Sequence, residues 1–354
     1  MRDAQVLVVG GAGFVGSNLV RSALDIGAAR VVVVDNLLSA ERENLPSDPR
    51  VELIEGSIAD NDVLAALRDE FDYVFHLATY HGNQSSIADP IADHDNNLIT
   101  TLKLFERIKS FDRVRKVVYS ASGCTLAPHE VYDEAEPTTE DGAVPLELDS
   151  PYQISKVVGE FYSVYYERQH GLPTVRARFQ NVYGPGEVLG AGEWRGTPAT
   201  VWRNVAPTFI YRALKGLPLT LDNGGVASRD FIYVEDVARG LLACATNGAP
   251  GDVYNIASGI ETTIRRLAEL VLEQTASSSE LELGPRRPWD HSVLRLGSPT
   301  KAERDLGFIA EVSLEEGLRR TIEWTQENLA FVERCIAKHA HLLDQPTALV
   351  ARTS

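Results

Sequence analysis

Apolar residues in this chain follow two rhythms. Short aliphatic and β-branched runs, such as Gln5-Val-Leu-Val-Val9 and Val31 to Val34, read as strands buried on both faces. Between them, apolar positions recur at three- and four-residue spacing, the mark of helices that pack by one face. The pattern predicts strands at 5–9, 31–34, 51–54, 72–77, 116–120 and 173–178. It predicts helices at 14–26, 61–69, 93–109 and 151–169. Such alternation implies an α/β fold with a doubly wound parallel sheet and ligands at the carboxyl ends of its strands.

After about Tyr183 the pattern loosens. Gly184-Pro185-Gly186 opens a long loop rich in Gly, Trp and Pro. Shorter elements are expected beyond it: a helix at 204–215, a strand at 230–233, a helix at 235–246, a strand at 252–256 and a helix at 262–273. One last long helix is expected over 313–338. We expect residues 1–182 to form one unit, with later segments at about 228–260 crossing back into it. Residues 183–341 are expected to form mainly a smaller lobe, and 342–354 a frayed tail.

The first of these units carries the chemistry. The strand at 5–9 runs into Gly10-Gly-Ala-Gly13-Phe-Val-Gly16 and then into a helix. Glycines at 10, 13 and 16 permit a tight turn, close backbone approach to a pyrophosphate and close helix–strand packing. The pyrophosphate would rest on the helix N-terminus. The second strand ends at Asp35, where an acid is expected to take the ribose 2′-hydroxyl and repel a 2′-phosphate. NAD is therefore expected rather than NADP.

A second signal is Ser150-Pro-Tyr152-Gln-Ile-Ser-Lys156. Positions i and i+4 share a helix face, so the Lys156 ammonium can sit beside the Tyr152 phenol and favour its ionised form. Such a tyrosine can exchange a proton with a sugar or alcohol hydroxyl.

Bulk properties narrow the partners. The 354 residues carry a formal charge of −16, which disfavours nucleic acid and anionic membrane surfaces. A phosphate-bearing ligand must then be met by local arginines and backbone amides. Cysteines at 124, 244 and 335 have neither metal nor disulfide spacing, so a reduced, cytoplasmic protein without a metal is expected. No apolar stretch approaches membrane-spanning length.

Together these motifs resemble the extended short-chain dehydrogenase/reductase family, in its nucleotide-sugar epimerase and dehydratase branch. The resemblance runs from Val6 to about Leu306. It rests on the glycine turn, Asp35-Asn36, His76-Leu77-Ala78, Tyr119-Ser-Ala-Ser122, Tyr152 with Lys156, and Arg178-Phe-Gln-Asn181-Val-Tyr-Gly-Pro185. Arg229-Asp-Phe-Ile-Tyr-Val-Glu-Asp236 and Arg287-Pro288 complete it. It implies a Rossmann-type sheet with a smaller C-terminal lobe, bound NAD and a nucleotide-diphosphate sugar as substrate.

Residue by residue, the resemblance makes Ser122, Tyr152 and Lys156 a triad, with Tyr152 as base. Gly10, Gly13, Phe14, Val15, Gly16, Asp35 and Asn36 would hold the cofactor at one end. Leu77, Ala78, Thr79, Asn97, Ser120 and Gln180 would hold it at the other. Ser57 and Ile58 sit where the family has Asp and an apolar residue against adenine, so Ser57 departs from the pattern. Thr79, His81, Ser122, Gly123, Asn181, Arg229 and Arg287 are expected at the substrate. The resemblance also implies a homodimer whose helices 93–109 and 151–169 pair into a four-helix bundle. Leu98, Leu102, Phe105, Val158, Phe161 and Tyr165 suit that pairing, and equally suit packing within one chain.

Three reactions of this branch begin with oxidation at C4 of the sugar. Dehydratases carry Asp and Glu directly after the triad hydroxyl; here those positions are Gly123 and Cys124. Decarboxylating relatives usually have a glutamate at the place of Cys124. The 4-epimerase, which needs neither, is the reading preferred, on UDP-glucuronate or UDP-glucose, with dTDP-sugars open. Cys124 is either a small packing residue or a catalytic thiol of an elimination. Arg195 or Arg203, flanking the Gly/Thr/Pro loop, either meets a charged sugar group such as a C6 carboxylate or pairs with Glu187 or Glu193.

Overall fold

The computed structural model describes residues 1–125, 136–287, 289–290 and 292–343. Pro288 and most of the expected tail lie outside the described residues. Seven parallel strands build the main sheet: β1 (Gln5–Val9), β2 (Arg30–Asp35), β3 (Val51–Glu55), β4 (Tyr73–His76), β5 (Lys116–Ser122), β6 (Thr174–Phe179) and β10 (Val253–Ile256). Their spatial order is β10-β6-β5-β4-β1-β2-β3. The order reverses between β1 and β4, where the connections leave the sheet in opposite directions and open a crevice.

The apolar runs are continuous because both faces are covered. Val6 and Val8 join Val31 and Val33 under α1 (Phe14–Asp25) and α8 (Val234–Asn247), against Leu19, Val20, Val237 and Leu241. Leu7 and Val9 join Val32 and Val34 on the other face, against Leu104, Phe105 and Ile108 of α5 (Thr100–Ile108) and Tyr166 of α6 (Pro151–His170). Each such side chain contributes about 1.5–3 kcal/mol on burial.

Start and stop signals set α6. The Ser150 hydroxyl accepts from the Gln153 amide, Pro151 opens the first turn, and the helix stops at Gly171 in the left-handed region. The helix expected over 93–109 begins earlier and in pieces. Asn83–Ala88 (α3) and Pro90–His94 (α4), the latter capped by the Asp89 side chain, lead into a widened π turn at Asp95–Ile99 and then α5. The long helix expected over 313–338 divides into α11 (Leu314–Glu327) and α12 (Leu329–Ala337). At the break, the Asn328 amide bonds the Trp324 carbonyl at 2.9 Å and competes with the helical ladder.

Five short strands were not foreseen: β7 (Asn181–Tyr183), β8 (Leu219–Asp222), β11 (Glu261–Thr263), β12 (Leu281–Gly284) and β13 (Leu294–Arg295). β9 (Ser228–Tyr233) pairs with β7, β13 and the three-residue β11 (Glu261–Thr263). They cover a separate apolar cluster around Tyr183, Ile210, Leu219, Leu267 and Leu318. Short strands of this kind carry too few alternations to stand out in sequence. The loop after Pro185 is itself a packing element, since Val188, Leu189 and Ala191 are buried against Val332 and Cys335 of α12.

A buried ion pair ties α6 to the sheet. The Arg178 guanidinium donates to both Glu160 oxygens, each at 2.7 Å, with both side chains 5% exposed. Arg178→Met would leave Glu160 buried with only Arg176 nearby, at 3.3 Å. We expect this change to cost about 3–5 kcal/mol in urea unfolding, and the double change with Glu160→Met to restore much of it.

Candidate active site

The glycine turn sits where the crevice opens. At Gly10, with φ of +84°, an added Cβ would lie 2.4 Å from the Ala78 amide nitrogen at the end of β4. At Gly16 an added Cβ would lie 2.2 Å from the Gly10 carbonyl oxygen. Only glycine lets α1 approach the turn this closely, and its N-terminal amides then face the cavity. Asp35 closes the cofactor end. Its carboxylate accepts from the Ala12 and Leu37 amides, both at 2.9 Å, while burial pushes its pKa up. A cavity of about 610 Å3 extends from this end, lined by Phe14, Val15, Asn36, Ser57 and Ile58, past Leu77, Ala78 and Thr79, to Tyr152 and Lys156. The groove left by the missing side chains and the acid at its end fit a dinucleotide.

Tyr152 stands on the first turn of α6, facing the end of β5. The Ser122 hydroxyl hydrogen-bonds its phenol, and the Lys156 nitrogen lies 5.8 Å from its ring centroid. Burial raises the Tyr152 pKa first, then the nearby Cys124 and Asp93; the Ser122 bond and Arg295 oppose them. Lys156 is 3% exposed and has no ion pair among the described residues. It donates to the Ser120 carbonyl at 2.8 Å and to the Ser120 hydroxyl at 3.3 Å. Burial brings its pKa down to about 8, against the upward pull of Asp93, Cys124 and Glu160. The Cys124 sulfur lies 2.9 Å from the Ser122 hydroxyl oxygen and also lines the cavity.

Three expected site residues lie behind the cavity wall. Asn97 is buried and its amide is fully engaged. It donates to Asp93 at 2.7 Å and Ser155 at 3.1 Å, and accepts from the Thr79 hydroxyl and the Tyr80 amide at 3.0 and 2.7 Å. It therefore supports the β4 end and is turned away from the cofactor cleft. Gly123 packs on the Gln180 side chain, which an added Cβ would meet at 2.1 Å. Arg195 is 3% exposed and its guanidinium donates to the Leu38 and Glu193 carbonyls, each at 3.2 Å. Neither Arg195 nor Arg203 forms an ion pair with Glu187 or Glu193. Arg203 does line the cavity, as do Ser120, Gln180, His81 and Asn181.

At the far end the cavity is rimmed by arginines. Arg229 is 6% exposed and donates to the Ser228 carbonyl at 2.7 Å and to Asp290 at 3.2 Å. Burial, then Arg295, lowers its pKa to about 9. Arg287 bonds Asp222 and its guanidinium lies 5.8 Å from the Trp289 ring. Arg295, not singled out in the sequence, shares Asp290 with Arg229 and has a buried Nε without a partner. Forked donors lining a cavity suit phosphate oxygens.

Asp93 was also missed. It is 1% exposed on α4, and burial brings its pKa up to about 6, against Ser155, Lys156, Asn97 and His94. The only sequence signal was its spacing of four from Asn97.

Fold and site define a dinucleotide-dependent enzyme of the extended short-chain dehydrogenase type. The family model "NAD dependent epimerase/dehydratase family" matches residues 6–257. The chain belongs to that family. It is 62% identical to the Bordetella bronchiseptica enzyme WbmF, crystallised with NAD+ and UDP, over 97% of this chain and 98% of that one, with a TM-score of 0.86. It is 33% identical to the UDP-glucose 4-epimerase of Mycolicibacterium smegmatis, over 90% of this chain and 98% of that protein. It is 32% identical to UDP-glucuronic acid decarboxylase 5 of Arabidopsis thaliana, over 89% and 87%. The cofactor is NAD, with which WbmF has been crystallised. No helix among the described residues is long and apolar enough to cross a membrane.

The Asp93 charge raises the pKa values of both Lys156 and Tyr152. In Asp93→Asn the Lys156 pKa falls further below about 8, so the limb of the pH–activity profile that Lys156 sets should move to lower pH, by roughly half a unit or more. A loss of amplitude with that limb unmoved would assign Asp93 a packing role only.

Proposed function

We propose that this enzyme is a nucleotide-sugar 4-epimerase acting through a transient 4-keto sugar, on UDP-glucose or UDP-glucuronate. The observation that carries the reading is the pair Gly123 and Cys124 after the triad serine, where an elimination needs carboxyl groups. In this reading Tyr152 removes the C4 hydroxyl proton and later returns it. Ser122 holds the reacting oxygen by its hydroxyl, and the Lys156 charge favours the phenolate. NAD, when bound, supplies reversible redox at C4. Arg229, Arg287 and Arg295 hold the diphosphate, so the sugar alone is left to turn between its two faces. Residues 1–182 with the segment 228–260 then serve the cofactor, and 183–341 mainly the substrate.

A second reading is favoured by one observation, the Cys124 thiol in the cavity beside Ser122. A thiol there is placed for proton transfer in a dehydratase or decarboxylase. Proton NMR of UDP-glucose, UDP-glucuronate and dTDP-glucose incubated with the purified protein separates these. A C4 epimer at unchanged mass supports the first reading, and loss of water or carbon dioxide the second.

For the assembly we propose a homodimer formed through α6. Phe105 and Leu102 serve the chain's own core, but Phe161 is 61%, Tyr165 50% and Ile154 49% exposed along one helix. Three large apolar side chains exposed along one helix support a contact face there.

Two outcomes follow. Tyr152→Phe should lower turnover by roughly 100-fold or more while the purified protein still releases NAD on denaturation; turnover near that of the parent would remove Tyr152 as the base. Phe161→Asp should shift the mass measured by light scattering from dimer to monomer, and a parent protein already monomeric would end the dimer proposal.

A further inference from the structure

The loop from Glu187 to Asn204 holds charged groups for which the 4-epimerase reading has no use. Glu187 is 5% exposed and lines the cavity. One of its oxygens accepts from the Asn204 amide; the other is buried without a hydrogen-bond partner. An orphaned buried acceptor of this kind calls for a ligand. Arg203 lines the same cavity. It donates to the carbonyls of Ser39, Ala191 and Thr200, and has no ion pair among the described residues. A guanidinium has five N–H donors, so some remain unspent. Arg195 adds a second cation behind it, also without an ion pair.

His81 connects this cluster to the chemistry. It hydrogen-bonds the Asn204 side chain, and its ring lies 6.1 Å from that of Tyr152. The region is therefore short of negative charge, beside the residue that meets the sugar.

We propose that His81, Glu187, Arg203 and Asn204 form a subsite for an anionic substituent of the sugar, a uronate carboxylate. Arg203 pairs with the carboxylate, and Glu187 in its protonated form donates its O–H to it. The inference rests on the nucleotide-sugar reading. A neutral hydroxyl would satisfy Glu187 but leave the arginines uncompensated. Burial brings the Glu187 carboxyl up to about 7, with Asn204 and the Arg203 charge pulling the other way. The other groups facing the cluster do not imitate this titration. His81, held down to about 4 by burial and by Arg203, Arg195 and Lys156, stays neutral above that pH. Cys335, pushed up to about 11 by burial, and Glu41 also act on Arg203. Lys156, at about 8, faces both sugars alike and cancels in a ratio of affinities.

The test is calorimetric titration of the NAD-loaded Tyr152→Phe protein, in which turnover is expected to be slow, using UDP-glucuronate and UDP-glucose between pH 6 and 8.5. The expected result is a preference for UDP-glucuronate of about tenfold or more at pH 6, shrinking as pH rises through 7. Arg203→Met should erase the preference, and Glu187→Gln should keep it but make it independent of pH. Equal affinity for the two sugars at pH 6 overturns the subsite and leaves the nucleotide-sugar reading intact. Binding of neither sugar overturns both. Loss of bound NAD in Arg203→Met, with the pH-dependent preference absent from the parent, assigns Arg203 to the cofactor and also overturns the subsite. The parent's pH dependence decides the matter even where Arg203→Met fails to fold.

Discussion

The contact between Gly10 and the end of β4 is the constraint from which the site follows. A Cβ at Gly10 would lie 2.4 Å from the Ala78 nitrogen, a distance no side chain tolerates. Because the turn presses onto β4, the crevice between β1 and β4 opens directly above it. The same close packing brings the N-terminus of α1 to the cavity floor. It also sets Thr79 and Tyr80, the next residues along, as the wall that Asn97 holds. The cofactor cleft and, through Asn97 and Ser155, the helix that carries Tyr152 are thus tied to one backbone approach, and a methyl group at Gly10 would disturb both.

That wall explains the widened turn at Asp95–Ile99. A regular helix through 93–108 carries Asn97 on one fixed face, whereas the π turn re-aims one residue without ending the helix. Re-aimed, Asn97 binds four partners from three elements: Asp93 on its own segment, Ser155 on α6, and Thr79 and Tyr80 after β4. Every polar atom of the amide is matched, which is what makes a buried polar network rigid and not merely costly. The helix that carries Tyr152 and Lys156 is locked on its other side by Arg178 and Glu160. Lys156 itself stays charged in a buried place by leaning on Ser120 and on the more distant Asp93 and Glu160.

Much of this was legible in the sequence, for identifiable reasons. The strands of the main sheet are buried on both faces, so their apolar runs are unbroken and their bounds come out within a residue or two. The glycine turn and Asp35 were legible because a phosphate-binding turn constrains backbone and side chain at fixed spacing. Asp93 and Glu187 were not. Each is a lone acid whose meaning depends on burial by residues far along the chain, and periodicity carries no trace of that. Asn97 was read as a cofactor residue from its motif match alone; its partners Asp93, Ser155, Thr79 and Tyr80 depend on the π turn, which a motif does not display. Arg195 and Arg203 looked equivalent from their loop; the fold separates them by turning one away from the cavity and leaving the other on its wall.

The arginines give the cavity of an acidic protein a local excess of fixed donors. With a net charge of −16, the long-range field opposes a nucleotide diphosphate, and binding must come from donors fixed at short range. Arg229 and Arg295 share Asp290, which neutralises part of their charge and holds both planes in place before any phosphate arrives. Pre-ordering of this kind removes the entropy that a free surface arginine loses on binding. Arg203 is ordered differently, by carbonyl oxygens that carry only partial charge. It has no ion pair among the described residues, and only Glu187, Cys335 and Glu41 favour its charge through space. The paired Arg229 and Arg295 and the carbonyl-held Arg203 thus present differently compensated charge to the two parts of one cavity.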